Sequence, residues 1–115
     1  METEFLTVFC TFPDLEIARL IVKRLVEERL IACGNIFPGI ESIYRWKDQI
    51  EHASEVLALC KTTREKFPAL ESVFKELHPY EVPELVAAPI SQGLPAYLAW
   101  VSENVSSPPA GEKGG

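Results

Sequence analysis

Basic side chains are scarce in this sequence: eleven Lys and Arg stand against seventeen Asp and Glu, for a net charge of −6. Nucleic acids and anionic membrane surfaces are both recognised through a basic footprint, so neither is expected as the main partner. Long apolar runs are also missing, and nothing approaches the ~18 consecutive apolar residues of a membrane-spanning helix. The opening Met1-Glu2-Thr3-Glu4 has the wrong charge for a secretory leader. Cysteine is limited to Cys10, Cys33 and Cys60. An odd set without secretory context reads as reduced thiols in a cytoplasmic protein, not as a disulfide framework. The six glycines are scattered, so no phosphate cradle is expected. G-x-G-x-x-G, a Walker loop, H-E-x-x-H, C-x-x-C and G-x-S-x-G are all absent, and the chain is read as a non-enzyme.

What is present is ordinary globular material. The chain has 115 residues, 47% of them hydrophobic, enough for one domain. Residues 1–105 are expected to form it. Residues 106–115, rich in Ser, Pro, Gly and charge, read as a disordered tail. Phe5–Phe12 alternates as a first strand, apolar on both faces. Asp14 is the expected N-cap of a helix whose stripe is Ile17, Leu20, Ile21 and Leu25 with Val22 and Val26. Leu30–Phe37 reads as a second strand, interrupted at Pro38-Gly39 and resumed over Glu41–Trp46. After a turn at Lys47-Asp48-Gln49, Ile50–Lys61 returns as a long third strand. Thr62-Thr63 opens a second helix with the stripe Phe67, Leu70, Val73, Phe74 and Leu77, ended by His78-Pro79. Pro68 suits only its first turn, which places the helix start after Arg64. Glu84–Ile90 is a fourth strand, and a last helix over Pro95–Asn104 is expected to bury Leu98 and Val101 or Trp100. This β-α-β-β-α-β order with a C-terminal helix is the α+β, ferredoxin-like pattern.

The central hairpin is too long for its body. A compact domain of this length has a diameter of roughly 35 Å, whereas a twelve-residue third strand spans about 40 Å. The projecting tip carries Ile43, Tyr44, Trp46 and Ile50. Exposed apolar ribbons invite pairing with another chain, so a closed homo-oligomer in which hairpins extend the neighbouring sheets is expected, the alternative being a bent, bulged hairpin folded over its own sheet.

Several segments resemble the CutA family of divalent-cation tolerance proteins. They are Cys10-Thr11-Phe12-Pro13-Asp14, Ala32-Cys33-Gly34-Asn35, Ser42-Ile43-Tyr44-Arg45-Trp46, Glu55 with Lys61-Thr62-Thr63, His78-Pro79-Tyr80-Glu81-Val82-Pro83-Glu84, and Tyr97-Leu98 with Trp100. The resemblance implies a cytoplasmic homotrimer, similar in architecture to PII-type signalling proteins, with a role in tolerance to copper and other divalent metals. It implies metal ligation at Cys10 and His78; Leu77 stands where the family's other histidine would be, and Gly34 where many relatives carry a larger apolar residue.

The residues themselves leave two readings for each site. Cys10 suits copper(I) as a thiolate, or it is a small buried hydrophobe. His78 can supply an imidazole, or it caps a helix C-terminus. One Cys and one His are fewer than the ligands of a typical zinc site, so a metal site needs donors from neighbouring subunits or a two-coordinate copper(I). Cys33 and Cys60 read as core, and His52 as a surface residue. Tyr44, Trp46, Glu55, Lys61, Tyr80 and Trp100 form a second constellation. Glu55 and Lys61 share one strand face, and Lys61 beside a helix N-terminus can hold an anion. The set reads either as an intersubunit pocket or as an ion pair with interface packing. Three function classes follow: a trimer binding copper or another divalent metal ion, a PII-like small-molecule-sensing or signalling trimer, and a module anchoring protein partners. The hairpin turn is too short to close over a nucleotide.

Overall fold

Alternation along Phe5–Cys10, which ends in the consecutively buried Cys10, Thr11 and Phe12, decides how the layers form. The structure, a computed structural model, describes residues 4–106; the expected tail beyond Ser106 lies outside them. The order is β1 (Phe5–Phe12), α1 (Leu15–Glu27), β2 (Cys33–Trp46), β3 (Gln49–Thr63), a 3-10 turn (Arg64–Lys66), α2 (Phe67–Leu77), β4 (Leu85–Pro89) and α3 (Pro95–Val105). The strands form one antiparallel sheet in the order β2-β3-β1-β4, the expected ferredoxin-like arrangement. Leu6, Val8, Cys10 and Phe12 of β1 join Val56, Ala58 and Cys60 of β3 on the face that packs against Ile21, Val22 and Leu25 of α1 and Leu70 and Phe74 of α2. The opposite face carries Phe5, Thr7 and Phe9 beside Leu59 and Lys61. Among the described residues only part of it is covered, where Val101 and Val105 of α3 pack with Phe5 and Ala32.

Asp14 caps α1 as expected, accepting the Ile17 N–H at 2.8 Å. The buried stripe is narrower than the hydrophobic residues suggest: Ala18, Ile21, Val22 and Leu25 are inside, while Leu20 is 70% exposed and Val26 is also exposed. At 100° per residue Leu20 falls almost opposite Ala18, so hydrophobicity alone misplaces it. Leu30 and Ile31 belong to the buried connection after α1, not to β2. Thr62 Oγ1 donates to Leu30 O at 2.7 Å and Ala32 N–H to Lys61 O at 2.7 Å, which pins that connection to the sheet. Thr62 and Thr63 end β3 instead of opening α2, and α2 starts at Phe67 with Pro68 in its first turn. In α3 the buried residues are Val101 and Val105; Leu98 is half-buried and Trp100 exposed.

Gly34 is where α1 comes closest to the sheet: a Cβ there would meet Val22 Cγ1 at 2.6 Å. The β-branched Val22 fills the volume that a larger residue at position 34 would take, and its stiff χ1 cannot yield cheaply. Gly34→Ala is expected to lower the unfolding free energy by about 1–3 kcal/mol through overpacking. Combining it with Val22→Ala should restore part of the loss in a urea-denaturation double-mutant cycle; strict additivity would show that the contact is not the cause.

β2 does not break at Pro38-Gly39. It passes through a bulge there, Phe37 facing Leu57 and Ile40 facing Glu55. Pro38 brings no N–H to the ladder, and Gly39 takes φ +76°. The turn has two residues, Lys47 and Asp48, both left-handed (φ 50° and 66°), the primed geometry that matches strand twist. β1 pairs with β3 only from Val56 to Thr63, so among the described residues Gln49–Glu55 pairs with β2 alone. The radius of gyration, 15.3 Å, exceeds the ~13 Å of a compact chain this long. The longest dimension is 51 Å, and the ribbon accounts for it.

Candidate functional site

The site is built where the ribbon leaves the body. α2 stops at His78, whose backbone turns extended before Pro79 while its N–H still donates to Phe74 O at 3.0 Å. The ring enters the core, stacked on Phe12 at 5.2 Å and against Phe74 at 5.0 Å and Tyr80 at 4.7 Å. Tyr80 N–H donates to Nδ1 at 3.1 Å, so Nε2 carries the proton and donates to Thr11 O at 2.7 Å. Burial pushes this imidazole below its ordinary pKa, outweighing the opposite pull of Thr11 O and Glu55. His78 thereby clamps the loop that presents Tyr80. The Tyr80 hydroxyl donates to Glu55 Oε2 at 2.6 Å. Burial, and then that bond, raise the phenol's pKa well above its usual value.

Glu55, Tyr44, Trp46 and Tyr80 line one cleft of about 790 Å³, together with Thr11, Glu41, Glu81 and Glu84. Four residues of the expected constellation are therefore brought together, and two are not. Lys61 shares the strand face of Glu55, but six residues of extended strand separate them by roughly 20 Å. Its ammonium donates to Asn35 Oδ1 at 3.3 Å. Trp100 stacks on Tyr97 at 5.6 Å on α3, at the other end of the sheet. Within one chain Lys61 does not stand at a helix N-terminus, because β3 runs on to Thr63 and α2 begins only at Phe67; the cleft itself is lined by Glu41, Glu55, Glu81 and Glu84. Sequence reasoning missed Glu41, Glu81 and Glu84 as site residues. Glu81 and Glu84 follow Tyr80 in a segment already singled out, while Glu41 lies just past the bulge, in register with Ser54.

Cys10 and His78, the expected metal ligands, do not offer free donors in the folded chain. Cys10 is 1% exposed, with its thiol 3.9 Å from Ala58 O. The neighbouring Cys60 sulfur, and then burial, push the Cys10 thiol far above its ordinary pKa, whereas ligation needs the thiolate. Both His78 ring nitrogens are engaged. Among the described residues no group of three or more His, Cys, Asp or Glu could hold a metal ion. Cys60 is core as expected; Cys33 is not, being half-buried with its sulfur 3.4 Å from the Tyr97 hydroxyl.

The family model for the CutA1 divalent ion tolerance protein matches residues 6–104. The divalent-cation tolerance protein CutA of Thermus thermophilus is 54% identical over 97 residues, covering 84% of this chain and 94% of that one. Protein CutA of Mus musculus is 46% identical over 99 residues, covering 86% of this chain and 56% of the mouse protein, so the chain spans just over half of that relative's length. The solved Cut A1 structure from Thermus thermophilus superposes with a TM-score of 0.87 at 51% identity, covering 89% of this chain and 99% of that chain. CutA1 from Shewanella sp. SIB1 does so at 0.87 and 41%, covering 93% and 100%.

Proposed function

The chain belongs to the CutA1 divalent ion tolerance family, and from that membership we propose a non-enzymatic, cytoplasmic homotrimer that takes part in the response to copper or another divalent metal ion. The observation that carries this reading is the likeness of nearly the whole folded chain to proteins of that name. Three free cysteines agree with a reducing compartment. A trimer is supported by the sheet face left bare by α3. Phe9, Leu57 and Leu59 are half-buried there, and Phe37 and Val86 are exposed. Beyond them the ribbon stands, among the described residues, without a third strand, an arrangement that is marginal in water on its own.

Cys10 and His78 are occupied by the core, so metal donors must be assembled between subunits. Copper(II) titrations of the native protein, Cys10→Ser and His78→Ala are therefore expected to give equal affinities per assembled trimer. A selective loss in either variant would return that residue to the ligand set. Failure of the native trimer to bind any divalent ion would remove metal as its ligand. A second reading, a PII-like small-molecule sensor, is favoured by the Tyr44, Trp46, Glu55 and Tyr80 cleft, whose volume lies in the usual range for small ligands.

A further inference from the structure

We infer that this cleft is a receptor for an organic cation, an ammonium or guanidinium group carried on a small apolar body. The inference deepens the small-ligand reading and rests on it. Glu55 is only 8% exposed, yet among the described residues no Lys, Arg or His nitrogen lies within 4.0 Å of its carboxylate. Tyr80 donates to one carboxylate oxygen, and the other has no hydrogen-bond partner among the described residues. No fully buried side-chain oxygen or nitrogen of the described residues is left unpaired, so that second oxygen opens onto the cleft. A carboxylate withdrawn this far from water without a counter-charge is costly, and a cation entering the cleft recovers the cost.

The walls identify the kind of cation. Glu41, Glu81 and Glu84 add negative charge, and among the described residues no basic side chain lines the cleft to welcome an anion. A bare metal ion is a poor fit, because the carboxylates do not converge into a group of three. Tyr44, Trp46 and Tyr80 instead bring aromatic rings to the wall, and aromatic rings attract weakly hydrated organic cations through their faces. The Trp46 ring already has one cation near it, the Lys47 ammonium of the exposed turn, 5.7 Å from its centroid, which an entering ligand would displace or join.

The test is calorimetric titration of the assembled protein with agmatine, phenethylammonium and tetramethylammonium chlorides, beside copper(II), magnesium and glutamate. Trp46 emission is read in parallel in a Trp100→Phe background. Saturable binding of at least one organic cation is expected, with a change in Trp46 emission and no glutamate binding. Affinity should fall about tenfold or more in Glu55→Gln, as loss of a charge-assisted contact requires. The exposed rim variants Glu81→Gln and Glu84→Gln, which carry little folding risk, should each weaken it about twofold to fivefold by screened attraction. The inference is overturned if no organic cation binds, or if Glu55→Gln binds as tightly as the native protein. It is equally overturned if copper(II) or magnesium alone binds in a Glu55-dependent way. If Glu55→Gln dissociates the oligomer while the native protein binds no added cation, a sister subunit supplies the charge and the inference again fails. Trimer mass and copper affinity are read separately, so the metal-tolerance reading stands or falls independently.

Discussion

His78→Ala is expected to cost about 3–5 kcal/mol of unfolding free energy, the range for removing a buried aromatic ring. The ring packs against Phe12, Phe74 and Tyr80, and its loss leaves Thr11 O and Tyr80 N–H without their partners. Urea denaturation should show the drop directly. The pH dependence separates this role from simple packing. Burial holds the folded imidazole below its ordinary pKa, while the unfolded chain titrates near 6.5. As pH falls from about 6.5 toward the folded value, the unfolded state takes up a proton that the folded state refuses, so stability declines. Above about 6.5 this contribution is fully present. His78→Gln, which cannot titrate, should lose less stability than the native chain between pH 7.5 and 5. Parallel pH profiles for the two proteins would show that His78 does not stay neutral in the fold. Because His78 also holds Tyr80 against Glu55, the alanine variant should loosen the cleft as well.

The elements whose signals are local are legible in the sequence. Alternation over Phe5–Phe12, the Asp14 cap and the start of α2 just before Pro68 all depend on neighbours within a few residues. The overlong ribbon is legible too, because extended strand has a fixed rise and a compact body a fixed radius. Tertiary placement is not. Lys61 and Glu55 share a face by the period-two rule, yet the same rule puts them far apart, and no spacing shows which of them meets Tyr80. The ring of His78 points into the core because Phe12 and Phe74 leave room for it and Thr11 O needs a donor. Neither fact is written near position 78. The cleft's acidic character likewise depends on Glu41, which lies just past a bulge whose presence Pro38-Gly39 signals but whose register it does not.

Leu59→Glu is expected to collapse the assembly. Leu59 lies in the middle of β3, facing Phe9 on one side and Asn35 on the other, on the sheet face that the helices α1 and α2 do not cover. Within one chain the position is half-buried, so a carboxylate there can reach water at modest cost. In a closed trimer the same face is sealed, and threefold symmetry repeats the change in every subunit. Each unpaired buried charge costs on the order of 3–5 kcal/mol, enough together to overwhelm an oligomer interface of ordinary size. Light scattering at micromolar concentration should give three times 12.9 kDa for the native protein and a value near 12.9 kDa for the variant. Native unfolding should be a single high-temperature transition whose midpoint rises with protein concentration, since subunit association adds to stability by mass action. The variant should unfold at a much lower, concentration-independent temperature. A native mass of one subunit would end the trimer reading. A Leu59→Glu protein that still scatters as a trimer would show that the subunits meet on some other surface, and the bare sheet face would then need a different partner.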